Sequence, residues 1–325
     1  LDLIGTGGPV RPVLRYLLER ARPMSAWEIE HGGSEIDPEL RKLERLQDGP
    51  LTAGIRAEYR IADSTAVLTY KLKQNDPNLY LDFEIEWNER GGEEFGTPSI
   101  RLAIPANLND QQTDYEIPFG AVTRTMEHGE EVPALRWAAI TGTAGEQKAG
   151  LLLMNDSKHG HSCIGGTLYL SLIRSSFAPD THPEVGQHEI HCALRPFAGD
   201  LAVPKAIEWS RVFDHPVESV ATDIHEGRLE LQATVIDWQS ETLVLDAVKM
   251  AEDKNGIICR IHNPEERIGK ATLTPDRNIF GMATAAAETD LMERAAASPG
   301  TSVADGRVTL SVPARGIRTL RITFA

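Results

Sequence analysis

In the segment Leu79 to Trp87, LYLDFEIEW, the apolar Leu81, Phe83, Ile85 and Trp87 alternate with Asp82, Glu84 and Glu86. A period of two puts the first set on one face of a strand and the carboxylates on the other, so one face packs and the other meets water. Gly54 to Lys71 repeats the pattern: Ile55, Ala57 and Tyr59 alternate with Arg56, Glu58 and Arg60, and Asp63-Ser64 supplies a turn between two strands. Pro12 to Arg20, Leu151 to Met154, Thr167 to Ile173 and His188 to Leu194 continue the series of short strands. One window reads differently. In Pro38 to Gln47, Leu40, Leu43 and Leu46 recur three apart after Asp37, which predicts a short capped helix or an irregular crossover.

Gly199-Asp200 and Val203-Pro204 are turn signals, and they place a boundary within residues 200–245. Beyond it Val217 to Asp237 restarts short strands. Leu243 to Leu245, Ile257 to Ile261, Ala271 to Leu273, Arg307 to Val312 and Thr319 to Phe324 form a second set, interrupted by the Ala- and Thr-rich stretch Ala283 to Pro299. No βαβ alternation, glycine-rich phosphate loop or fixed-period repeat is visible. The chain therefore reads as all-β and antiparallel: a large sheet assembly over residues 1–205, then terminal strands and a smaller β-sandwich over 206–325.

At 325 residues and 41% apolar content, the chain can bury a large core without covalent staples. The formal net charge of −15, with no basic run, makes nucleic acid an unfavourable partner. No run of about 18 apolar residues offers a membrane span. Three cysteines, Cys163, Cys192 and Cys259, imply no disulfide framework and point to a reducing, cytoplasmic setting. The opening LDLIGTGGPV has neither the charged nor the apolar region of a signal peptide, and its missing initiator Met suggests a piece of a longer polypeptide.

The densest chemistry is Asn155 to Cys163, NDSKHGHSC. His159 and His161 share one side of a strand, and with Cys163 and His188 they could supply zinc ligands by type. No paired-ligand spacing supports that assignment. Asn155-Asp156 suits a self-capped turn after a buried run. Asp156, His159 and His161, with Lys158 between them, Arg174 as the next planar donor and Asp180 beyond it, also offer polar groups of the kind that recognise sugar hydroxyls. The plainer reading of Arg174 is a strand-end salt bridge with Asp180. The carboxylate doublets Glu93-Glu94, Glu130-Glu131 and Glu252-Asp253 are poor pairs for glycoside hydrolysis, because adjacent strand residues point to opposite faces. No catalytic residue is assigned from the residues themselves.

MSAWEI (24–29), LDFEIEWNER (81–90), YEIPFG (115–120), EVPALRW (131–137), GLLLMNDSKHG (150–160), TLYLSLIRSSFAPD (167–180), GQHEIHCALRP (186–196), VKMAED (248–253) and IRTLRI (317–322), in this order, resemble the C-terminal β-rich half of glycoside hydrolase family 38 α-mannosidases. The resemblance implies a galactose mutarotase-like β-supersandwich followed by a smaller β-sandwich. It also implies that the catalytic nucleophile and a zinc ion belong to an N-terminal barrel outside this chain. Implied partners are that barrel of the same polypeptide and an α-mannoside or other carbohydrate, with self-association through the bared docking face. Where the family carries a sequence like K-Y-G-Y, this chain has Lys158-His159-Gly160-His161, which keeps planar rings but weakens stacking. Two other readings stay open. One is a stand-alone aldose epimerase using His128, His188 and Glu189; the other is a non-catalytic sugar-binding module.

Overall fold

The alternation in LYLDFEIEW is realised as a strand whose burial follows the same period: Leu81, Phe83, Ile85 and Trp87 are buried, while Glu84 and Glu86 are exposed. The computed structural model describes residues 13–29, 33–46, 49–125, 130–180, 184–227, 230–297 and 300–325. In chain order the larger region carries β1 (Val13–Glu19), β2 (Gly33–Ile36), β3 (Glu39–Arg45), β4 (Thr52–Ile61), β5 (Ser64–Lys73), β6 (Leu79–Trp87), β7 (Thr97–Pro105) and β8 (Asn109–Ile117). It continues with β9 (Gly120–Thr123), β10 (Val132–Pro133), β11 (Trp137–Ala144), β12 (Gln147–Asn155), β13 (Gly160–Ile164), β14 (Thr167–Arg174), β15 (Gly186–Ala198) and helix α1 (Val203–Asp214).

These strands form a six-stranded sheet, ordered β10-β13-β14-β7-β1-β2, and a nine-stranded sheet, ordered β3-β4-β5-β6-β15-β12-β11-β8-β9. Leu14, Ile100, Leu102, Leu168 and Leu170 of the first share one core with Leu68, Leu81, Phe83, Ile140, Leu151, Leu153 and Ile190 of the second. Each such side chain stabilises the fold by about 1.5–3 kcal/mol on full burial. Trp87 closes one end of this core, and its indole N–H donates to Ser175 Oγ at 2.7 Å. The apolar run GLLLM has a structural reason: Leu151 and Leu153 face the core, while Leu152 and Met154 are buried on the opposite face. On that face α1 packs Trp209 against Phe197 and Phe213 against Tyr80. The Phe197 ring lies over Gly150, where a Cβ would meet it at 2.3 Å, so this position requires glycine.

The second unit holds Val217–Ala325. Its elements are β16 (Ile236–Gln239), β17 (Val244–Met250), β18 (Ile257–His262), β19 (Gly269–Pro275), α2 (Arg277–Phe280), β20 (Ala283–Thr289), β21 (Thr301–Ala304), β22 (Arg307–Val312) and β23 (Ile317–Phe324). Two four-stranded sheets, β16-β19-β22-β21 and β17-β18-β23-β20, enclose Leu243, Cys259, Ile261, Leu273, Val308, Leu310, Leu320 and Ile322. The fold is thus all-β, with a smaller sandwich after the larger one. Among the described residues no helix is long and apolar enough to cross a membrane.

Three local readings are corrected. The helix expected over Pro38 to Gln47 is strand β3. Its register shifts between Leu40 and Lys42, so that Leu40 pairs with Tyr59 and Leu43 with Ala57. The extra residue of this bulge brings leucines three apart to one face, which imitates a helical period. Conversely, Val203-Pro204 opens α1 instead of a turn, with Pro at the start of the helix, where its missing N–H costs nothing. The described residues between α1 and β16 form no strand. Val217, Val220, Ile224 and Leu231 there are exposed and have no face to pack on.

Leu102 is fully buried at the middle of the shared core. Leu102→Ala is expected to lower unfolding stability by about 2–5 kcal/mol in urea titration. A loss below about 1 kcal/mol would contradict this packing.

Candidate functional site

The loop between β12 and β13 is built on Asn155, which is 1% exposed. Its Oδ1 accepts from the backbone amides of Ser157 (3.2 Å) and Lys158 (2.6 Å), an Asx turn that fixes the exit from β12. Asp156 accepts from Ser157 Oγ at 2.8 Å and from the amide of His191 at 3.3 Å. The half-exposed Lys158 and the exposed His159 stand on the same loop, with His159 Nδ1 3.2 Å from the carbonyl of Ala134.

His161 departs from this group. It is fully buried, edge-on to Tyr115 of the core at 6.3 Å between ring centroids. Its Nδ1 lies 3.2 Å from the His159 carbonyl, which can only accept, so Nδ1 carries the proton. Nε2 is then a bare acceptor without a hydrogen-bond partner. Burial drives the imidazole down to about 4, so it is neutral at physiological pH. The side chain faces the core, away from any ligand entering from solvent.

Arg174 organises a separate site at the end of β14. Its carboxylate partner is Glu19, not the expected Asp180. The guanidinium donates from Nε at 2.9 Å and from Nη2 at 2.8 Å to the two carboxylate oxygens, a bidentate pair with Glu19 1% exposed. It also donates to the carbonyls of Ser25 and, at 3.0 Å, Glu28. Ser25, likewise buried, accepts at Oγ from the amides of Phe177 and Ala178, both at 2.9 Å. The amide of Ala26 donates to the Ala178 carbonyl at 2.8 Å. Nearby, Gly96 has a positive φ, and a Cβ there would lie 2.0 Å from the Glu19 carbonyl. The ends of β1 and β14 and the segments 24–28 and 175–178 are therefore one hydrogen-bonded node.

The six candidates thus do not converge. Asp156, Lys158 and His159 share one loop, His161 faces inward, and Arg174 closes β14 with Asp180 six residues beyond it. Sequence reading missed Glu19 and Ser25. The only available signal was a carboxylate closing an otherwise apolar strand. Other titratable groups are engaged structurally. Glu131 accepts from Ser171 and lies 3.7 Å from Arg101, Glu252 pairs with Lys249 at 2.5 Å, and Asp253 with Arg321 at 2.5 Å. Burial pushes the Asp82 carboxyl up, but hydrogen bonds from Lys71 and His191 outweigh it and hold it below the usual range. His188 and Glu189 are neighbours on β15 and so point to opposite faces, while His128 lies outside the described residues. Cys192 and Cys259 are buried, and burial raises Cys259 to about 12, which leaves no thiolate for chemistry or metal. Among the described residues no three His, Cys, Asp or Glu side chains are grouped to hold a metal ion.

Residues 9–182 match the Glycosyl hydrolases family 38 C-terminal domain, and residues 242–320 match the Glycosyl hydrolases family 38 C-terminal beta sandwich domain. Alpha-mannosidase G of Dictyostelium discoideum is 25% identical over 240 residues, covering 70% of this chain and 21% of that protein. Alpha-mannosidase 2C1 of Homo sapiens is 28% identical over 196 residues, covering 57% of this chain and 18% of that protein. The crystal structure of an alpha-mannosidase from Enterococcus faecalis V583 shares the fold, with a TM-score of 0.76 and 12% identity over 97% of this chain and 38% of that one. The chain spans about a fifth of the length of these curated relatives.

The depressed His161 value has a consequence for stability. The unfolded imidazole titrates near 6.5 and the folded one near 4, so between these values the unfolded chain binds more protons. This contribution is complete above pH 6.5 and is lost as pH falls toward 4, by about 3 kcal/mol at most. In urea titrations across that window, the stability of the wild type should fall relative to that of His161→Phe. Parallel curves would contradict the burial of a neutral imidazole.

Proposed function

The chain belongs to glycoside hydrolase family 38 as its C-terminal region, and we propose that it is the non-catalytic part of an α-mannosidase whose bond-breaking groups lie in a preceding domain. The observation that carries this reading is the succession of the two family C-terminal domains along one chain, in which Glu19, Glu131, Glu252 and Asp253 are held in ion pairs. Retaining glycoside hydrolysis needs two carboxyl groups about 5–5.5 Å apart across a sugar-sized gap. In our reading the preceding barrel supplies them together with a zinc ion, and that ion would polarise the substrate there. The present chain supplies shape. Its sheets brace the barrel, the Asp156–His159 loop and the Arg174 end of β14 line part of the cleft, and the ligand is an α-mannoside. Single polar groups such as Asp156, Lys158, His159 and Asp180 would then orient sugar hydroxyls without taking part in proton transfer.

The test is hydrolysis of 4-nitrophenyl α-mannoside. The purified chain is expected to release nitrophenol no faster than buffer, and the same chain joined to its preceding barrel to do so with loss of activity on zinc chelation. Turnover by this chain alone, with contaminating enzyme excluded, would overturn the proposal, as would a zinc-independent fusion.

A further inference from the structure

Of the five tryptophans, Trp87 and Trp137 are fully buried and Trp209 and Trp238 partly so, whereas Trp27 is 73% exposed. An indole in water forfeits the burial that makes this side chain favourable, and a freely moving terminal loop could accommodate that. Trp27 is not on such a loop. Its own amide donates to the Met24 carbonyl at 2.9 Å, and the Glu28 amide to the same carbonyl at 3.0 Å. The residue two before it is the buried Ser25, hydrogen-bonded to segment 177–178, and the residue before it is tied to Ala178. Arg174 grips the carbonyls on both sides, at Ser25 and Glu28, and is itself neutralised by the buried Glu19. A buried ion pair and a set of backbone hydrogen bonds thus hold a tight turn whose tip offers an aromatic face to solvent.

Two exposed carboxylates belong to the segments that form this turn. Glu28 follows Trp27 in the chain and is held by Arg22 at 2.8 Å. Asp180 lies two residues beyond Ala178, the partner of Ala26. An exposed aromatic plane on a turn whose segments also carry carboxylates suits a pyranoside, which presents a patch of C–H groups on one ring face and hydroxyl donors around its edge. Preorganisation of the plane means that binding need not order the turn.

We propose that Trp27 is the stacking platform of a carbohydrate subsite on this chain, taking one pyranose ring of an α-mannoside, with Glu28 and Asp180 accepting from its hydroxyls. This rests on the α-mannosidase reading for the identity of the sugar, and on the Arg174 node for the platform.

The experiment is fluorine NMR of the chain labelled with 5-fluorotryptophan, with the Trp27 resonance assigned by its loss in Trp27→Phe. Titration with methyl α-mannoside and α-1,2-mannobiose should shift that resonance saturably, with half-saturation at or below tens of millimolar, while the buried Trp87 and Trp137 resonances stay fixed. Trp27→Ala should abolish binding by calorimetry and leave the other four resonances in place, which shows that the fold is intact. An unmoved Trp27 resonance at saturating sugar overturns the subsite even if the joined protein hydrolyses mannosides. A shift with glucosides or galactosides but not with mannosides keeps the platform and defeats the mannoside assignment. A shift on joining the barrel, with none on adding sugar, makes the indole a domain contact and overturns the proposal.

Discussion

The ion pair between Glu19 and Arg174 is the constraint on which the polar end of the larger sandwich depends. Both partners are withdrawn from water, Glu19 almost completely. A buried pair of this kind contributes little net stability, because desolvation offsets much of the Coulomb gain. What it supplies is geometry. The guanidinium fork fixes two carboxylate oxygens and two carbonyls at once, and the four acceptors come from two stretches of chain, the end of β1 and the turn at 24–28. Without Arg174, Glu19 would lose its bidentate guanidinium partner, and the turn at residues 24–28 would lose the donor that holds its Ser25 and Glu28 carbonyls.

The same logic runs through the rest of the molecule. Side chains that look reactive in sequence are consumed by the fold. His161 lies in the core as a neutral ring, Asp82 is held between Lys71 and His191, and Glu131 accepts from Ser171 beside Arg101. Asp156 and Asn155 close a turn. Each of these groups holds one segment of the fold against another.

Much of the fold was legible because burial in antiparallel sheets writes itself as alternation. Leu79–Trp87 and the hairpin across Asp63-Ser64 are placed by that pattern. The pattern failed where geometry altered the period. In β3 a bulge brought Leu40 and Leu43 to one face, and at α1 a proline that marks turns elsewhere began a helix. The polar node was less legible, because its members are far apart in sequence. Arg174 stood out as a planar donor at a strand end, but Glu19 is 155 residues away and Ser25 presents only a hydroxyl and a carbonyl. A period of two puts His159 and His161 on one strand face, but β13 begins at Gly160, so His159 stays exposed on the loop and His161 alone turns inward.

The role of the Glu19–Arg174 pair is tested most directly by hydrogen exchange over residues 19–29 in the wild type and in Arg174→Met. In the wild type the amides of Ala26 and Glu28, bonded to the carbonyls of Ala178 and Met24, should be protected to a degree approaching that of the β1–β7 ladder. In the variant that protection should fall by at least tenfold while the ladder between β1 and β7 stays protected. Equal protection of Ala26 and Glu28 in both proteins would mean that the turn stands without the ion pair, and would contradict its role as the organiser of this end of the sandwich.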